Sequence, residues 1–205
     1  MSEPETDVWD KVRHQLRILE QQQAARQADP MAQAEKLARR AHAFRERVQS
    51  TQRTGATLPM ILFSTYGTHY GLPLDSVVEI QPLESFSLVP RSPAFIDGVV
   101  HFRGTILSLF NLGRLLGTTV TGISDVHFYL VARGAGRTIA ISAGDVNELT
   151  LIDPADIKAA PEWGGRIPAN WIRGVYRQDC LLLHLDAILE DDLVSHWQRG
   201  GLPSA

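Results

Sequence analysis

Two runs of strand-forming residues meet at an Arg-Gly pair near the middle of the chain. Val99–Phe102 precedes the pair and Thr105–Phe110 follows it. Both runs are rich in β-branched and aromatic residues, which favour the pleated, half-buried surface of a strand. Because glycine punctuates strands and tolerates positive φ angles, Arg103-Gly104 is predicted to form the tip of a tight hairpin or a bulge.

Two segments of the chain resemble segments farther along in sequence, and we call each of these repeats an echo. Gly67–Ile80 can be aligned with Gly136–Leu149, and the stretch around the Arg-Gly pair can be aligned with Trp171–Leu189. The two pairs of segments are separated by similar lengths of chain, and such a repeated strand pattern predicts two similar small β modules. The aligned residues are Val77 with Val146, Glu79 with Glu148, and Gly98-Val99 with Gly174-Val175.

Polar residues after the last strand of each echo predict helix caps. Asn111 can accept hydrogen bonds from the free N–H groups of a short helix over Leu112–Leu116. In the second echo Asp186 takes the corresponding position, one residue sooner, ahead of a C-terminal helix.

The residue pattern before residue 58 predicts helices. A helix beginning near Val8 is followed by a restart at Asp29-Pro30, which predicts a second helix over Pro30–Gln49. Ser50–Thr57 is a polar linker. We therefore divide the chain into a helical extension and linker over residues 1–57 and a β-rich domain over residues 58–200. The apolar stripe of the second helix consists of Ala34, Leu37, Ala41, Phe44 and Val48.

The opposite face of that second helix is basic. Lys36–Arg53 contains six lysines or arginines and one acidic residue. The apolar stripe needs a partner, which is the main domain, another copy of the chain or another protein. The basic face is either solvated or directed at an anionic membrane surface or an acidic protein. An additional partner for this arm is therefore left open.

Composition narrows the class of protein. The chain has 205 residues, of which 44% are hydrophobic and 21% charged, as in ordinary globular proteins. Cys180 is the single cysteine and adjoins a leucine run, so we expect a buried thiol in a reducing compartment. The N-terminus lacks the apolar core of a signal peptide, and no apolar run is long enough to predict a membrane span. The cytoplasm is therefore the expected location.

The residue patterns of known catalytic and metal sites are missing from the sequence. It contains no glycine-rich phosphate loop, HExxH, CxxC or GxSxG motif, and no two histidines have metal-ligand spacing. We therefore predict no catalytic residues, no metal and no cofactor. A small-barrel nucleic-acid binder is the alternative of another class, but the net charge is −3 and Lys158 is the only lysine beyond residue 57.

A set of short motifs in one order resembles the CheW family of chemotaxis coupling proteins over about Leu58–Leu193. The motifs are Tyr70-Gly71-Leu72-Pro73, Val77-Val78-Glu79-Ile80, Val89-Pro90, the run from Pro93 to Val100, Phe102-Arg103-Gly104 and Leu112-Gly113-Arg114-Leu115-Leu116. The resemblance implies a mainly β fold of two SH3-like five-stranded β-barrels, preceded here by the α-helical arm.

The same resemblance implies a function and its partners. Such a protein is a non-enzymatic adaptor that couples the cytoplasmic tip of methyl-accepting chemoreceptors to the regulatory domain of a CheA-type histidine kinase. It would lie at receptor arrays near the inner membrane face. The alternative within the family is a CheW-like scaffold for a surface-motility or array-localising pathway. Neither interpretation involves nucleic acid or a membrane span.

The resemblance also implies which residues bind partners. Glu79 and Arg103 match a Glu and an Arg of the family that can pair. The full set of implied partner-binding residues is Val77, Val78, Glu79, Gly98, Arg103, Gly104, Phe128 and Ala140.

The sequence departs from the family pattern at three places. His101-Phe102 stands where Asn-Leu is usual, and Asn111 stands where Asp is usual, which keeps a helix cap without its charge. Ala140 stands near a usual glycine, and its methyl group puts the shape of the expected receptor groove in doubt.

Overall fold

A computed structural model describes residues 57–117, 126–160 and 167–198, together with part of a helix between residues 31 and 43. The mainly β class predicted from the sequence is confirmed. The strands are β1 (Leu58–Thr65), β2 (Thr68–Pro73), β3 (Val77–Pro82), β4 (Ile96–Phe102), β5 (Thr105–Phe110), β6 (Phe128–Gly134), β7 (Arg137–Ala143), β8 (Asp145–Ile152), β9 (Ile157–Lys158), β10 (Ile172–Tyr176) and β11 (Cys180–Leu183). The described part of the domain also has three short α-helices: α1 (Leu112–Leu115) after β5, α2 (Leu185–Glu190) after β11, and α3 (Asp192–Gln198) directly after α2.

The strands form two sheets with the same internal order. The β1 sheet has the order β8-β1-β2-β11-β10-β9, and the β6 sheet has the order β3-β6-β7-β5-β4. In each sheet one pair is parallel, β2 with β11 and β5 with β7, and the other ladders are antiparallel. These are the two SH3-like modules expected from the sequence, with the short β9 added to one.

Each sheet contains strands from both halves of the chain. The β1 sheet combines β1 and β2 with β8–β11, whereas the β6 sheet combines β3–β5 with β6 and β7. The two echoes of the sequence therefore do not fold as consecutive modules. They exchange strands, so that neither half can complete its sheet without the other.

The buried apolar side chains among the described residues form three clusters, of which the largest joins the two sheets. The largest contains residues from both sheets and so forms the core between them; Phe63, Tyr70 and Phe110 are among its fully buried side chains. One smaller cluster is drawn from the β6 sheet and its loops, and the other from the β1 sheet. Alternate residues of one strand separate these cores, as Leu130 belongs to the shared core and Val131 to the β6-sheet cluster.

Arg103-Gly104 forms the tip of a tight hairpin, as predicted. The β4–β5 ladder ends at Phe102 opposite Thr105, which leaves a two-residue turn. The φ angles are 48° at Arg103 and 81° at Gly104. Two consecutive positive φ angles are typical of a type I′ turn, in which glycine at the second position avoids a steric cost.

The two predicted helix caps have different outcomes. Asn111 is the N-cap of α1, and its Oδ1 accepts a hydrogen bond from the Arg114 backbone N–H at 3.0 Å. The corresponding prediction for Asp186 is wrong, because His184 occupies the N-cap of α2 and makes no side-chain capping bond. Asp186 lies in the first turn of α2 and instead accepts a hydrogen bond from the Ala135 backbone N–H at 2.6 Å.

The arm is described only between residues 31 and 43, and every described residue there is helical. Leu37 is partly buried and packs against the core shared by the two sheets. The rest of the predicted apolar stripe, the helix beginning near Val8 and most of the linker lie outside the described residues. The domain boundary after residue 57 therefore stays a prediction, although β1 begins at Leu58.

Candidate partner-binding site

An ion pair joins the two edges of the β6 sheet. The Nη2 atom of Arg103, at the β4–β5 tip, lies 2.7 Å from Oε2 of Glu79 on β3. Strands β3 and β4 are the two ends of this sheet, so the contact shows that the sheet curls until its edges approach each other. The Arg103 side chain is 72% exposed and that of Glu79 is 21% exposed.

Neighbouring side chains fix the geometry of this pair. The guanidinium carbon of Arg103 lies 5.3 Å from the ring centroid of Phe102, within the range of a cation–π contact. The other carboxylate oxygen of Glu79 accepts a hydrogen bond from the Gln81 side chain. The pair is therefore held from both sides at the surface, where it is accessible to a partner.

A β-bulge explains how strand β3 presents Glu79. Val77 is opposite Ala132 and Glu79 is opposite Val131, so Val78 is the extra residue. Val77 turns into the shared core and is 2% exposed, whereas Val78 is 36% exposed. The bulge thus lets one short segment supply a core residue, an exposed apolar residue and a carboxylate in succession.

The residues expected to bind partners fall into two groups in the structure. Those whose side chains or backbone reach the surface are Val78, Glu79, Arg103 and Gly104. Those that are buried are Val77, Gly98, Phe128 and Ala140. Only the first group is accessible for direct contact with a partner, whereas the second group packs inside the domain.

Gly98 allows a loop to approach strand β4. A Cβ atom at Gly98 would overlap the Ser87 carbonyl oxygen and lie 2.7 Å from Cδ2 of Phe86. The close approach lets the Ser87 and Val99 backbones exchange two hydrogen bonds, of 3.0 and 2.9 Å. The glycine is therefore required by the backbone pairing next to the site.

The methyl group of Ala140 is enclosed within the β6 sheet. Ala140 is 0% exposed and packs in the cluster that includes Leu109 and Val131. Gly71 occupies the matching place in the β1 sheet, where it lies opposite Leu62 and Leu182. The departure at Ala140 thus changes the interior of this sheet.

A second copy of the ion pair lies on the β1 sheet. Nη2 of Arg177, at the β10–β11 turn, lies 3.1 Å from Oε2 of Glu148 on β8. The guanidinium carbon of Arg177 is 5.0 Å from the ring centroid of Tyr176, as Arg103 is close to Phe102. Sequence reasoning aligned Glu79 with Glu148 but missed this pair. The signal was an aromatic-Arg dipeptide at the start of the turn in each echo.

A polar network joins the β1–β2 turn of the β1 sheet to strand β4 and the N-cap of α1. The amide Nδ2 of Asn111 donates to both carboxylate oxygens of Asp97 at 3.1 Å, and the Tyr66 hydroxyl donates to Asp97 Oδ2 at 3.3 Å. Arg114 Nη1 lies 3.5 Å from Asp97 Oδ1. Burial, reinforced by the Asp97 carboxylate, raises the pKa of Tyr66 to about 12. The network ties the start of α1 to strand β4.

Comparison with known proteins identifies the family to which this fold belongs. A family model described as a CheW-like domain matches residues 59–193. The chain belongs to the CheW-like domain family. The match begins inside β1 and ends in α3, so it covers both sheets and both ion pairs.

Named relatives of this CheW-like chain cover much of its domain. It is 23% identical to the probable chemotaxis protein CheW of Rhizobium etli over 64% of this chain and 87% of that protein. It is 30% identical to Protein FrzA of Myxococcus xanthus over 51% of this chain and 65% of that protein. The structure of scaffolding protein TtCheW from Thermoanaerobacter tengcongensis matches with a TM-score of 0.58 and 22% identity, covering 68% of this chain and 92% of that one. This likeness shows the fold.

Two exposed apolar residues flank the CheW-like site and were missed by sequence reasoning. Ile106, two residues beyond the Arg103-Gly104 turn, is 70% exposed, and Leu88, next to the Ser87 bridge, is 78% exposed. The signal in the sequence was an apolar side chain where strand alternation or a loop predicts a polar one. Exposed apolar residues beside a fixed ion pair give the site a component that contact with a partner could bury.

Two other kinds of site find no counterpart in the part of the chain that the structure describes. Within it, no group of three or more His, Cys, Asp or Glu side chains is placed to hold a metal ion. Among the same described residues, no helix is both long and apolar enough to cross a membrane.

Proposed function

We propose that this CheW-like chain is a non-enzymatic signalling adaptor in chemotaxis. It would couple the cytoplasmic tip of methyl-accepting chemoreceptors to the regulatory domain of a CheA-type histidine kinase, at receptor arrays on the inner side of the membrane. The proposal is supported by membership of the family and by relatives that are named chemotaxis proteins. TtCheW, the similar protein of known structure, is called a scaffolding protein, which is consistent with an adaptor role.

The observation that carries the proposal is the Glu79–Arg103 pair on the surface of the β6 sheet. A partly exposed charge pair contributes mainly to register and orientation between partners, and less to affinity. Here the pair has a fixed position, because Phe102 and Gln81 hold its two members. Val78 and Ile106 add exposed apolar area that a partner can bury. This combination fits docking of a protein surface.

Reversal of the Arg103 charge tests the proposal. Full-length wild type and Arg103→Glu would be titrated with the regulatory domain of a CheA-type kinase from the same cell, by isothermal calorimetry or co-elution. We expect binding to weaken by about tenfold or more in the variant, because a negative charge would face Glu79 and its partner surface. The guanidinium is exposed, so the thermal unfolding midpoint is expected to stay close to that of wild type.

Arg177→Glu is the matched control for that experiment. It makes the same charge change at the equivalent turn of the β1 sheet, beside Glu148. Kinase binding that survives Arg177→Glu and is lost in Arg103→Glu would support the assignment to the β6 sheet. Unchanged binding in both variants would exclude the Glu79–Arg103 surface from the kinase interface. A lost thermal transition in Arg103→Glu would give the arginine a structural role instead.

A scaffold for a different pathway is the second candidate. The similarity to Protein FrzA, whose name does not mention chemotaxis, is the observation that favours it. The fold and the site would be the same in both cases, so only the partner distinguishes them. A folded wild-type chain that binds no CheA-type regulatory domain would favour this second candidate. A salt-dependent shift of a single-stranded oligonucleotide would instead indicate the nucleic-acid alternative.

A further inference from the structure

Strand β8 is the structural counterpart of strand β3. Each is the edge strand that carries the glutamate of an ion pair, and each has a bulge just before that glutamate. Val146 is opposite Phe63 and Glu148 is opposite Leu62, as Val77 and Glu79 are opposite consecutive residues of β6. The two edges therefore present the same sequence of side-chain positions on the two sheets.

The two edges differ in what covers them. On β3, Val77 and Ile80 are each 2% exposed, whereas their β8 counterparts Val146 and Leu149 are only partly buried. The arm helix lies along β8. The residues that line the groove between them are Leu37, Arg40 and Ala43 of the arm and Val146, Asn147, Glu148 and Leu149 of β8.

We propose that the helix of the N-terminal arm is an intramolecular ligand of the β8 edge. In this arrangement the arm occupies the second of two equivalent edges and leaves the β3 edge, with Val78 and Glu79, for other proteins. The contact itself does not depend on the partner proposed above, whereas its consequence, a chain with one open edge, extends that proposal.

Three physical features favour this occupant. An edge strand with exposed apolar side chains is prone to pair with other chains, and proteins cover such edges with a helix or loop. Leu37, Val146 and Leu149 are all partly buried against the shared core and line the same groove, so the arm and β8 shield apolar surface of each other from water. Arg40 and Glu148 line the same groove and have opposite charges. A basic helix is thus suited to this edge.

The contact should also stabilise the arm itself. An isolated helix of about 12 to 15 residues is marginal in water, because nucleation is costly and few hydrogen bonds follow it. A helix between residues 31 and 43 therefore gains stability from packing on β8. Release of the arm should loosen the helix and expose the β8 edge at the same time.

Amide hydrogen exchange of the full-length chain tests the proposal. In Leu37→Asp, exchange is expected to become about tenfold faster both in residues 35–43 and in the hydrogen-bonded amides of β8, because the packing of the partly buried Leu37 is lost. Ala43→Asp, a second change on the groove side, should act in the same direction. Ala32→Asp is the matched control for Ala43→Asp, since both alanines are exposed and only Ala43 lines this groove.

The outcomes separate the proposal from its rivals. Faster exchange in both segments for Leu37→Asp, with wild-type exchange for Ala32→Asp, would support an arm docked on β8. Equal exchange in Leu37→Asp and Ala32→Asp would overturn it. Wild-type protection of β8 that increases with protein concentration would also overturn it, because the arm would then come from another copy. Since the measurement contains no kinase or receptor, failure of the adaptor proposal would leave this result unchanged.

Discussion

The β6 sheet and the β1 sheet carry the same edge-to-turn ion pair in different surroundings. On the β6 sheet the pair lies beside a two-residue turn, and the exposed Ile106 follows closely. On the β1 sheet the turn is longer, and Asp179 in it contacts His69 at 2.9 Å. The arm helix also shares a groove with the edge strand of the β1 sheet. The ion pair is thus a property of the repeated fold, and we propose that its surroundings determine which copy binds partners.

The two halves of the chain also differ in how their first hairpin turn is connected to the helix at the end of that half. In the first half, Asp97 of β4 links the Tyr66 hydroxyl, in the β1–β2 turn of the β1 sheet, to the cap residue Asn111. At the equivalent turn of the other hairpin stands Ala135, whose backbone N–H bonds directly to Asp186. The turn residue therefore donates its hydrogen bond from the side chain in the first half and from the backbone in the second half. The same position in the fold is stabilised by different chemistry.

The largest loss of stability is expected at two glycines, one in each half, where another segment of backbone approaches closely. Gly98→Ala would drive a Cβ atom into the Ser87 carbonyl, and Gly174→Ala would place one 2.5 Å from the Lys158 carbonyl oxygen. Because backbone must move in both cases, we expect each substitution to lower the free energy of unfolding by about 2–3 kcal/mol. Urea denaturation of the two variants measures this.

Gly67→Ala provides the control for these glycines. Gly67 has a φ of 76° but nothing within 4 Å of its added Cβ, so only the backbone conformation is penalised. The expected cost is about 1 kcal/mol. If Gly98→Ala costs no more than Gly67→Ala, the close approach to Ser87 is not what constrains this position. Unequal costs at Gly98 and Gly174 would show that the two halves no longer share this constraint.

Much of the fold could be predicted because its signals are local. The Arg103-Gly104 turn follows from β-branched runs on both sides of a glycine, and the alignment of Val77 with Val146 follows from the repeated pattern. The exchange of strands between the halves could not be predicted this way. Local patterns identify a strand, but the partner of that strand is chosen by tertiary packing, so the echoes alone do not say which sheet β3 or β8 joins.

The site was predictable in part for a related reason. Glu79 and Arg103 were expected to pair from the family resemblance, and the structure brings them together. Phe128 and Ala140 lie in strand segments that are buried on both faces, since residues 128–132 and 139–143 are all buried, and a local strand pattern does not show which strands are covered on both sides. Asp186 was misassigned as a cap because it lies two residues beyond the N-cap His184, inside the first turn of α2. A sequence pattern does not resolve shifts of one or two residues.

An intermediate effect is expected from removing one helix cap. Asn111→Ala deletes the bond to the Arg114 N–H and both bonds to the buried Asp97 carboxylate, so we expect a loss of about 2 kcal/mol in the free energy of unfolding. His184→Ala, at the N-cap of α2, removes no capping bond and should cost less than about 1 kcal/mol. Thermal or urea unfolding of both variants compares them. Equal losses would mean that the Asn111 network contributes little beyond an ordinary cap.

The smallest change in stability is expected at alkaline pH, and it comes from Tyr66, which is present in the first half only. The folded-state pKa of Tyr66 is about 12, above the ordinary tyrosine value of 10.0, because burial and Asp97 disfavour the phenolate. The folded chain therefore holds this proton more tightly than the unfolded chain. The stabilisation is complete below about pH 10 and is lost as the pH rises towards about 12.

Comparison of wild type with Tyr66→Phe isolates that contribution. Phenylalanine has no ionisable group, so the variant should lose stability less steeply between about pH 10 and 12, and the two curves should converge by about 1 kcal/mol at about pH 11. Burial also raises the pKa of Cys180 to about 11, but this acts equally in both proteins and cancels in the difference. Urea midpoints measured at steps from about pH 9 to 11 provide the test. Parallel curves would show that Tyr66 titrates alike in the folded and unfolded chains. In that case the Tyr66 hydroxyl would not make the pH dependence of the first half different from that of the half with Ala135.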